Sequence, residues 1–104
     1  MYIAMNRFRI ALGKENAFEQ VWANRDSHLK NVPGFKKFKL LRGASGEEHT
    51  LFVSHSVWES LDAFIGWTKS EAFRAAHANA GDNRDMYLGP PQFEGFEVVI
   101  DNEG

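Results

Sequence analysis

Three residues combine a reactive side chain with a telling position: Asn6, Trp67 and His77. Asn6 stands among alternating apolar residues, where asparagine is disfavoured and an unpaired amide is costly to bury. Either the backbone satisfies it or it is a donor aimed into a pocket. His77 follows Phe73 by four residues and adjoins Ala76, on or beside the apolar side of its predicted helix. A neutral imidazole in apolar surroundings is a good iron ligand, and equally a common core histidine. Trp67 follows Phe64 by three, on the inner face of another predicted helix, which is ordinary core packing for an indole. Trp22 and Trp58 read as core aromatics for the same reason.

Other chemistries find little support. His28, His49 and His55 have no HExxH-like spacing, and there is no G-x-S-x-G elbow, P-loop or G-x-G-x-x-G. Acidic pairs fall in loops and on helix surfaces, which gives paired-carboxylate hydrolysis no basis. With no cysteine, thiol catalysis, thiolate metal sites and a disulfide scaffold are excluded. Lys36, Lys37, Lys39 and Arg42 make one strand basic, but the aromatic RNP1 pattern of RNA-binding sheets is missing. Lysines on an edge strand discourage unwanted pairing.

The elements that must position these residues follow from periodicity. Tyr2 to Ile10 alternate as a strand, with Tyr2, Ala4, Asn6, Phe8 and Ile10 on one face. A helix opens at Gly13-Lys14-Glu15 and runs through Ala17, Phe18, Val21, Trp22, Arg25 and Leu29, until Pro33-Gly34 stops it. Phe35 to Arg42 form a second strand, Gly43 to Gly46 a hairpin loop, and Thr50 to Trp58 a third strand. Ser60 caps a helix carrying Leu61, Phe64 and Trp67, and Ser70 caps a further helical run to His77. Ala78 to Pro91 read as a loop, Phe93 to Asp101 as the last strand, and the tail as frayed.

This β-α-β-β-α-β order predicts a ferredoxin-like α+β fold: an antiparallel four-stranded sheet with its helices on one face. The second face is also partly apolar, because Leu51, Val53 and Val57 cannot share a face with Phe52 and Trp58. An apolar sheet face open to water predicts a partner, most simply a second copy packed face to face.

The chain has 104 residues, enough for one domain spanning 1–104. It is 43% hydrophobic and 25% charged, with a net charge of −2. That balance gives no electrostatic case for nucleic acid or an acidic membrane. The N-terminus lacks the apolar region of a signal peptide, and no run is long enough for a membrane helix. A cytoplasmic protein is the expectation.

The stretch Val57 to His77 resembles the matching segment of the IsdG-type haem-degrading monooxygenases. Their pattern is W-x-S-x-x-A-F-x-x-W followed by S-x-x-F-x-x-A-H. Here it is met by Trp58, Ser60, Ala63, Phe64 and Trp67, then Ser70, Phe73, Ala76 and His77. Asn6 and Pro33-Gly34-Phe35 also fall where that family has a first-strand asparagine and a P/E-G-F turn. The resemblance covers nearly the whole chain and is weakest over Ala78 to Pro91. The wider superfamily, the antibiotic-biosynthesis-monooxygenase-like dimeric α+β barrels, shares W-x-S and A-F without the full set.

The resemblance implies a homodimer whose two sheets pair as a barrel, each subunit holding one haem as both substrate and cofactor. It implies His77 as the axial iron ligand and Asn6 as a hydrogen-bond donor on the opposite, O₂-accepting side. It implies Trp67 as the indole that presses on the porphyrin, a distortion on the order of 1–5 kcal/mol offset by binding elsewhere. Arg25 matches an arginine on the first helix of some relatives. It could meet a haem propionate, or simply be a solvated helix arginine. Oxygenation at a meso carbon, ring opening and iron release would follow. Electrons would come from an external donor, an unidentified reductase, because the chain has no flavin or nicotinamide fingerprint. Two alternatives stand beside this reading. One is a cofactor-independent monooxygenase of quinol- or polyketide-like aromatics on the same fold. The other is a non-catalytic haem carrier.

Overall fold

The computed structural model describes residues 1–24, 29–76 and 85–103. In chain order the elements are β1 (Tyr2–Ala11), α1 (Glu15–Asn24), β2 (Phe35–Ser45), β3 (His49–Trp58), α2 (Leu61–Thr68), α3 (Glu71–Ala76) and β4 (Gln92–Glu97). The strands form one antiparallel sheet in the order β2-β3-β1-β4, the ferredoxin-like arrangement, with β2 at one edge and β4 at the other. No helix among the described residues is long and apolar enough to cross a membrane.

Alternation along β1 and β3 decides what each face does. Tyr2, Ala4, Phe8 and Ile10 of β1 are buried, as are Thr50, Phe52, Ser54, Ser56 and Trp58 of β3. These even-numbered residues meet the helices: Phe8 packs on Phe18 of α1 and Tyr2 on Phe64 of α2. The odd-numbered residues Ile3, Met5, Leu51, Val53 and His55 line the opposite, half-buried face. Trp58, Phe18, Phe52 and Ile10 are sealed from solvent, each worth about 1.5–3 kcal/mol of burial. Two buried polar groups are explained by Trp58. Its indole N–H donates to Ser56 Oγ at 2.9 Å, and Ser56 donates across to the Ala4 carbonyl at 3.3 Å.

The expected caps are present. Ser60 Oγ accepts from the Ala63 N–H, and Ser70 Oγ from the Phe73 N–H, each at 3.1 Å. Other boundaries differ from the sequence reading. α1 is described as far as Asn24, and Leu29 is buried from a 3₁₀ turn, Leu29–Asn31, while the expected helical stretch between them, which includes Arg25, lies outside the described residues. β2 and β3 pair into the expected Gly43–Gly46 loop as far as Ser45, with a register shift between Arg42 and Ser45 absorbing Gly43 and Ala44. β4 ends at Glu97 rather than Asp101, because only the Val98 N–H finds a further partner, the Met1 carbonyl. Part of the 78–91 loop is anchored. Met86 is buried in the core, Tyr87 bridges Ile10, and the Leu88 N–H donates to the Arg9 carbonyl.

At the start of α1 a chain of polar groups closes the helix onto the sheet. Ser45 Oγ and Thr50 Oγ1 are 2.7 Å apart, Thr50 donates to Glu15 Oε2 at 2.8 Å, and the Gly13 N–H donates to Glu15 Oε1 at 2.8 Å. The Glu15 carboxyl is held below its ordinary value of 4.5 by its own backbone N–H and then by Thr50, with Gly13 and Arg42 adding. A depressed carboxyl pKa stabilises the fold above the unfolded value, and that contribution fades as pH falls through the folded value. Glu15→Gln is therefore expected to lower Tm at pH 7 but to match the parent once pH drops well below 4.5. A thermal-melt series against pH checks this. A gap that persists unchanged at acid pH would mean the charge is not what matters.

Candidate active site

The helix-side core is two clusters rather than one. Phe8, Ile10, Phe18, Phe52 and Met86 form the first, and Tyr2, Ala4, Leu29 and Trp58 the second. Asn6 falls between them on β1, with Ser54 of β3 directly opposite on one side and Phe93 of β4 on the other. Ser54 is buried and Asn6 half-buried, so a narrow polar step divides the two apolar regions. Among the described residues no side chain or backbone group hydrogen-bonds the Asn6 amide. Among those residues its donor capacity is unused, on the side of the sheet that the helices cover.

Trp67 is positioned by α2, which Ser60 caps at its start. Its indole stacks on Trp58 at 5.5 Å and meets the edge of Phe73 at 4.8 Å. Phe64, one turn earlier on α2, lies 6.3 Å from Trp67 and stacks on Phe93 at 5.6 Å with a 7° interplanar angle. Phe93 is the cross-strand neighbour of Asn6. An aromatic chain Trp67–Phe64–Phe93 therefore runs from α2 down to the strand position beside the amide. Trp67 also borders a cavity of about 580 Å³ whose apolar wall is Val32, Pro33, Ala63 and Gly66. A second cleft of about 510 Å³ lies against Trp22, Phe38, Leu40 and Phe52, with the Arg42–Glu19 ion pair at its mouth. Asn6 lines neither.

The structure thus brings Asn6 and Trp67 to the same side of the sheet and links them through aromatics. His77 and Arg25 lie outside the described residues. Two residues of the step were missed in the sequence. Ser54 and Phe93 are unremarkable alone and become visible only when the register sets them opposite Asn6. Trp22, read as a core aromatic, does pack on Phe8 and Phe18, and it also stacks on Phe38 at 5.5 Å to form a wall of the second cleft.

These residues suit a flat, largely apolar macrocycle with a polar centre. Apolar clusters flank a single amide donor, and a broad aromatic surface stands beside it.

Comparison with known proteins places the chain. The sequence pattern of the antibiotic biosynthesis monooxygenase family matches residues 1–79. The chain is 37% identical over 102 residues to a mycobilin-producing haem oxygenase of Mycobacterium tuberculosis, covering 98% of this chain and 92% of that protein. It is 28% identical over 88 residues to a haem-degrading monooxygenase of Bacillus cereus, covering 85% and 81%. Among solved structures, MhuD of Mycobacterium tuberculosis with two haems bound in its active site superposes with a TM-score of 0.75 at 32% identity, over 99% of this chain and all of that one. The cofactor-independent oxygenase SnoaB of Streptomyces nogalater superposes with a TM-score of 0.68 at 23% identity, a likeness of fold alone, over 96% and 94%. From its own residues and from these matches, the chain belongs to the antibiotic biosynthesis monooxygenase family.

Proposed function

We propose that this protein is a haem-degrading monooxygenase that takes haem as its substrate on the helix side of the sheet. The observation that carries the reading is the Asn6 amide, unpaired among the described residues, set between two apolar clusters and joined to Trp67 by the Phe64–Phe93 stack. The identity to a mycobilin-producing haem oxygenase over almost the whole chain supports it.

In this reading His77 would hold the haem iron, and Asn6 would offer its side-chain N–H within the same site. When bound, haem supplies the iron at which O₂ is reduced with electrons from an external reductase. The Asn6 N–H would be a donor for negative charge developing on the substrate during reaction. The Trp67 indole would press on the ring, and the stacked Phe64 and Phe93 would offer it a further apolar surface. Arg25 offers a guanidinium to a propionate. Oxygenation of a meso carbon, ring opening and iron release complete the reaction. The protein acts as a homodimer in the cytoplasm.

Ferric haem titration followed by ascorbate in air, with catalase present, tests this. A stoichiometric Soret shift, then loss of that band with release of chelatable iron, is expected. Catalase matters because peroxide bleaches haem without an enzyme. His77→Ala is expected to lose the coordinated Soret band and the turnover together. Tight binding with a persistent Soret band under several donors would make the protein a carrier. No saturable binding would overturn the haem reading and favour a cofactor-independent oxygenase.

A further inference from the structure

Among the described residues three polar side chains are buried, Thr50, Ser54 and Ser56, all on β3. Two of them are accounted for. Thr50 donates to Glu15 and meets Ser45, while Ser56 donates to the Ala4 carbonyl and accepts from the Trp58 indole. Ser54 is 7% exposed and has no side-chain hydrogen bond among the described residues. A buried hydroxyl left without a partner is a cost to the fold, so stability alone gives no reason for a serine at this position.

Its neighbours within the sheet leave it one polar partner. Across the strands Ser54 faces Leu40 of β2 on one side and Asn6 of β1 on the other. Directly opposed residues stand about 4.5–5.5 Å apart at Cβ, within reach of a bond between a hydroxyl and an amide. Along β3 its same-face neighbours are Phe52, which is apolar, and Ser56, whose hydroxyl is already committed. Asn6 is placed in the same way. Its same-face neighbours on β1 are Ala4 and Phe8, and its neighbour on β4 is Phe93. Within this ring of sheet residues Ser54 is the one side chain able to hydrogen-bond Asn6, and Asn6 the one with capacity left for Ser54.

We propose that Ser54 is the positioning residue of Asn6: its O–H donates to the Asn6 side-chain carbonyl once haem covers them, and so turns the amide N–H toward the substrate. An asparagine amide has an acceptor end and a donor end of nearly equal size, and a half-turn exchanges them. A hydroxyl on the β3 side, with an aromatic ring on the β4 side, favours one orientation over the other. The hydroxyl proton has the Asn6 carbonyl as its side-chain acceptor within the ring of neighbours, so donation is the sense that leaves no O–H unpaired. Water can satisfy both groups while the step is open to solvent. A flat substrate laid over it excludes that water, and each group is then the other's remaining partner. Ser54 itself does not touch the reacting atoms. The inference rests on the haem reading and adds to it the group that sets the direction of the Asn6 donor.

Ser54→Thr and Ser54→Val test this as a pair, because they share a shape and differ by the hydroxyl. Strain from the added volume is common to both, and β-branched residues suit a strand. Ser54→Val is expected to keep the parent's Soret titration and to degrade haem about 10-fold more slowly, and Ser54→Thr to recover most of that rate. Ser54→Ala, which adds no volume, should match Ser54→Val. In an Asn6→Ala background the gap between the Ser54→Thr and Ser54→Val rates should close. A second readout needs no turnover. With gallium protoporphyrin, a diamagnetic and redox-inert analogue of haem, the Asn6 side-chain N–H signals in proton–nitrogen NMR should follow the parent in Ser54→Thr and shift in Ser54→Val. Equal rates or superimposable Asn6 signals in the two variants overturn the proposal, as does a gap that survives Asn6→Ala. A parent that binds neither haem nor the gallium analogue removes the haem reading and this inference with it. A parent that degrades haem while the two variants match removes only the role of Ser54.

Discussion

Asn6→Ala is expected to bind haem with an almost unchanged Soret titration and to degrade it on the order of 100-fold more slowly. The asymmetry follows from where the amide sits. It holds no protein hydrogen bond among the described residues, so removing it breaks none of theirs. Its neighbours Ala4 and Phe8 belong to different clusters, so truncation joins two apolar surfaces that are already present. A half-buried asparagine replaced by alanine in such a place changes stability by about 1 kcal/mol or less. What is lost is a donor aimed at charge that develops only during reaction, and such donors affect rate more than affinity. Asn6→Asp sharpens the test, because it keeps the size and replaces the N–H donors with acceptors. It should be at least as slow as Asn6→Ala. Full activity in both would remove Asn6 from the reaction, and a large loss of affinity instead of rate would make it a binding group.

The position of Asn6 was readable because strand periodicity is local. With a period of two, knowing that Tyr2, Phe8 and Ile10 face inward is enough to place Asn6 on the same side. The caps at Ser60 and Ser70 were readable for the same reason, since a hydroxyl three residues before a free N–H needs no distant partner. Ser54 and Phe93 were not readable, because only the pairing of three strands puts them beside the amide. Met86 and Tyr87 failed in the same way. They sit in a polar, glycine-rich stretch whose local chemistry is that of a loop, yet Met86 fills the first cluster and Tyr87 bridges β1. Val98 to Ile100 erred in the other direction. Their propensity for strand is real, but a strand is a pairing, and the described residues supply a partner only as far as Val98.

Gly34→Ala is expected to destabilise this fold strongly, because the added methyl meets both a strained backbone and a packed helix. Gly34 closes the turn into β2 with φ +83, a left-handed conformation that penalises any Cβ. A Cβ there would also collide with the Cβ of Ala63, on the first turn of α2. The Glu59 N–H donates to the Gly34 carbonyl at 2.8 Å, so the turn cannot swing away without losing the bond that ties it to the entrance of α2. Backbone strain and overpacking together are expected to cost about 3 kcal/mol, a fall in Tm of roughly 15 °C for a chain of this length. Gly13→Ala is the control. Gly13 has a similar φ of +90 but nothing within 4 Å of the added Cβ. It should show the backbone penalty alone, about 1–2 kcal/mol. The excess in Gly34→Ala measures the contact with α2. Because α2 carries Phe64 and Trp67, relief of that contact must shift the aromatic chain that leads to Asn6. Gly34→Ala should therefore slow haem degradation even well below its Tm, whereas Gly13→Ala should not. Equal melting temperatures in the two variants would show that Ala63 moves aside freely, and that the turn does not hold α2 in place.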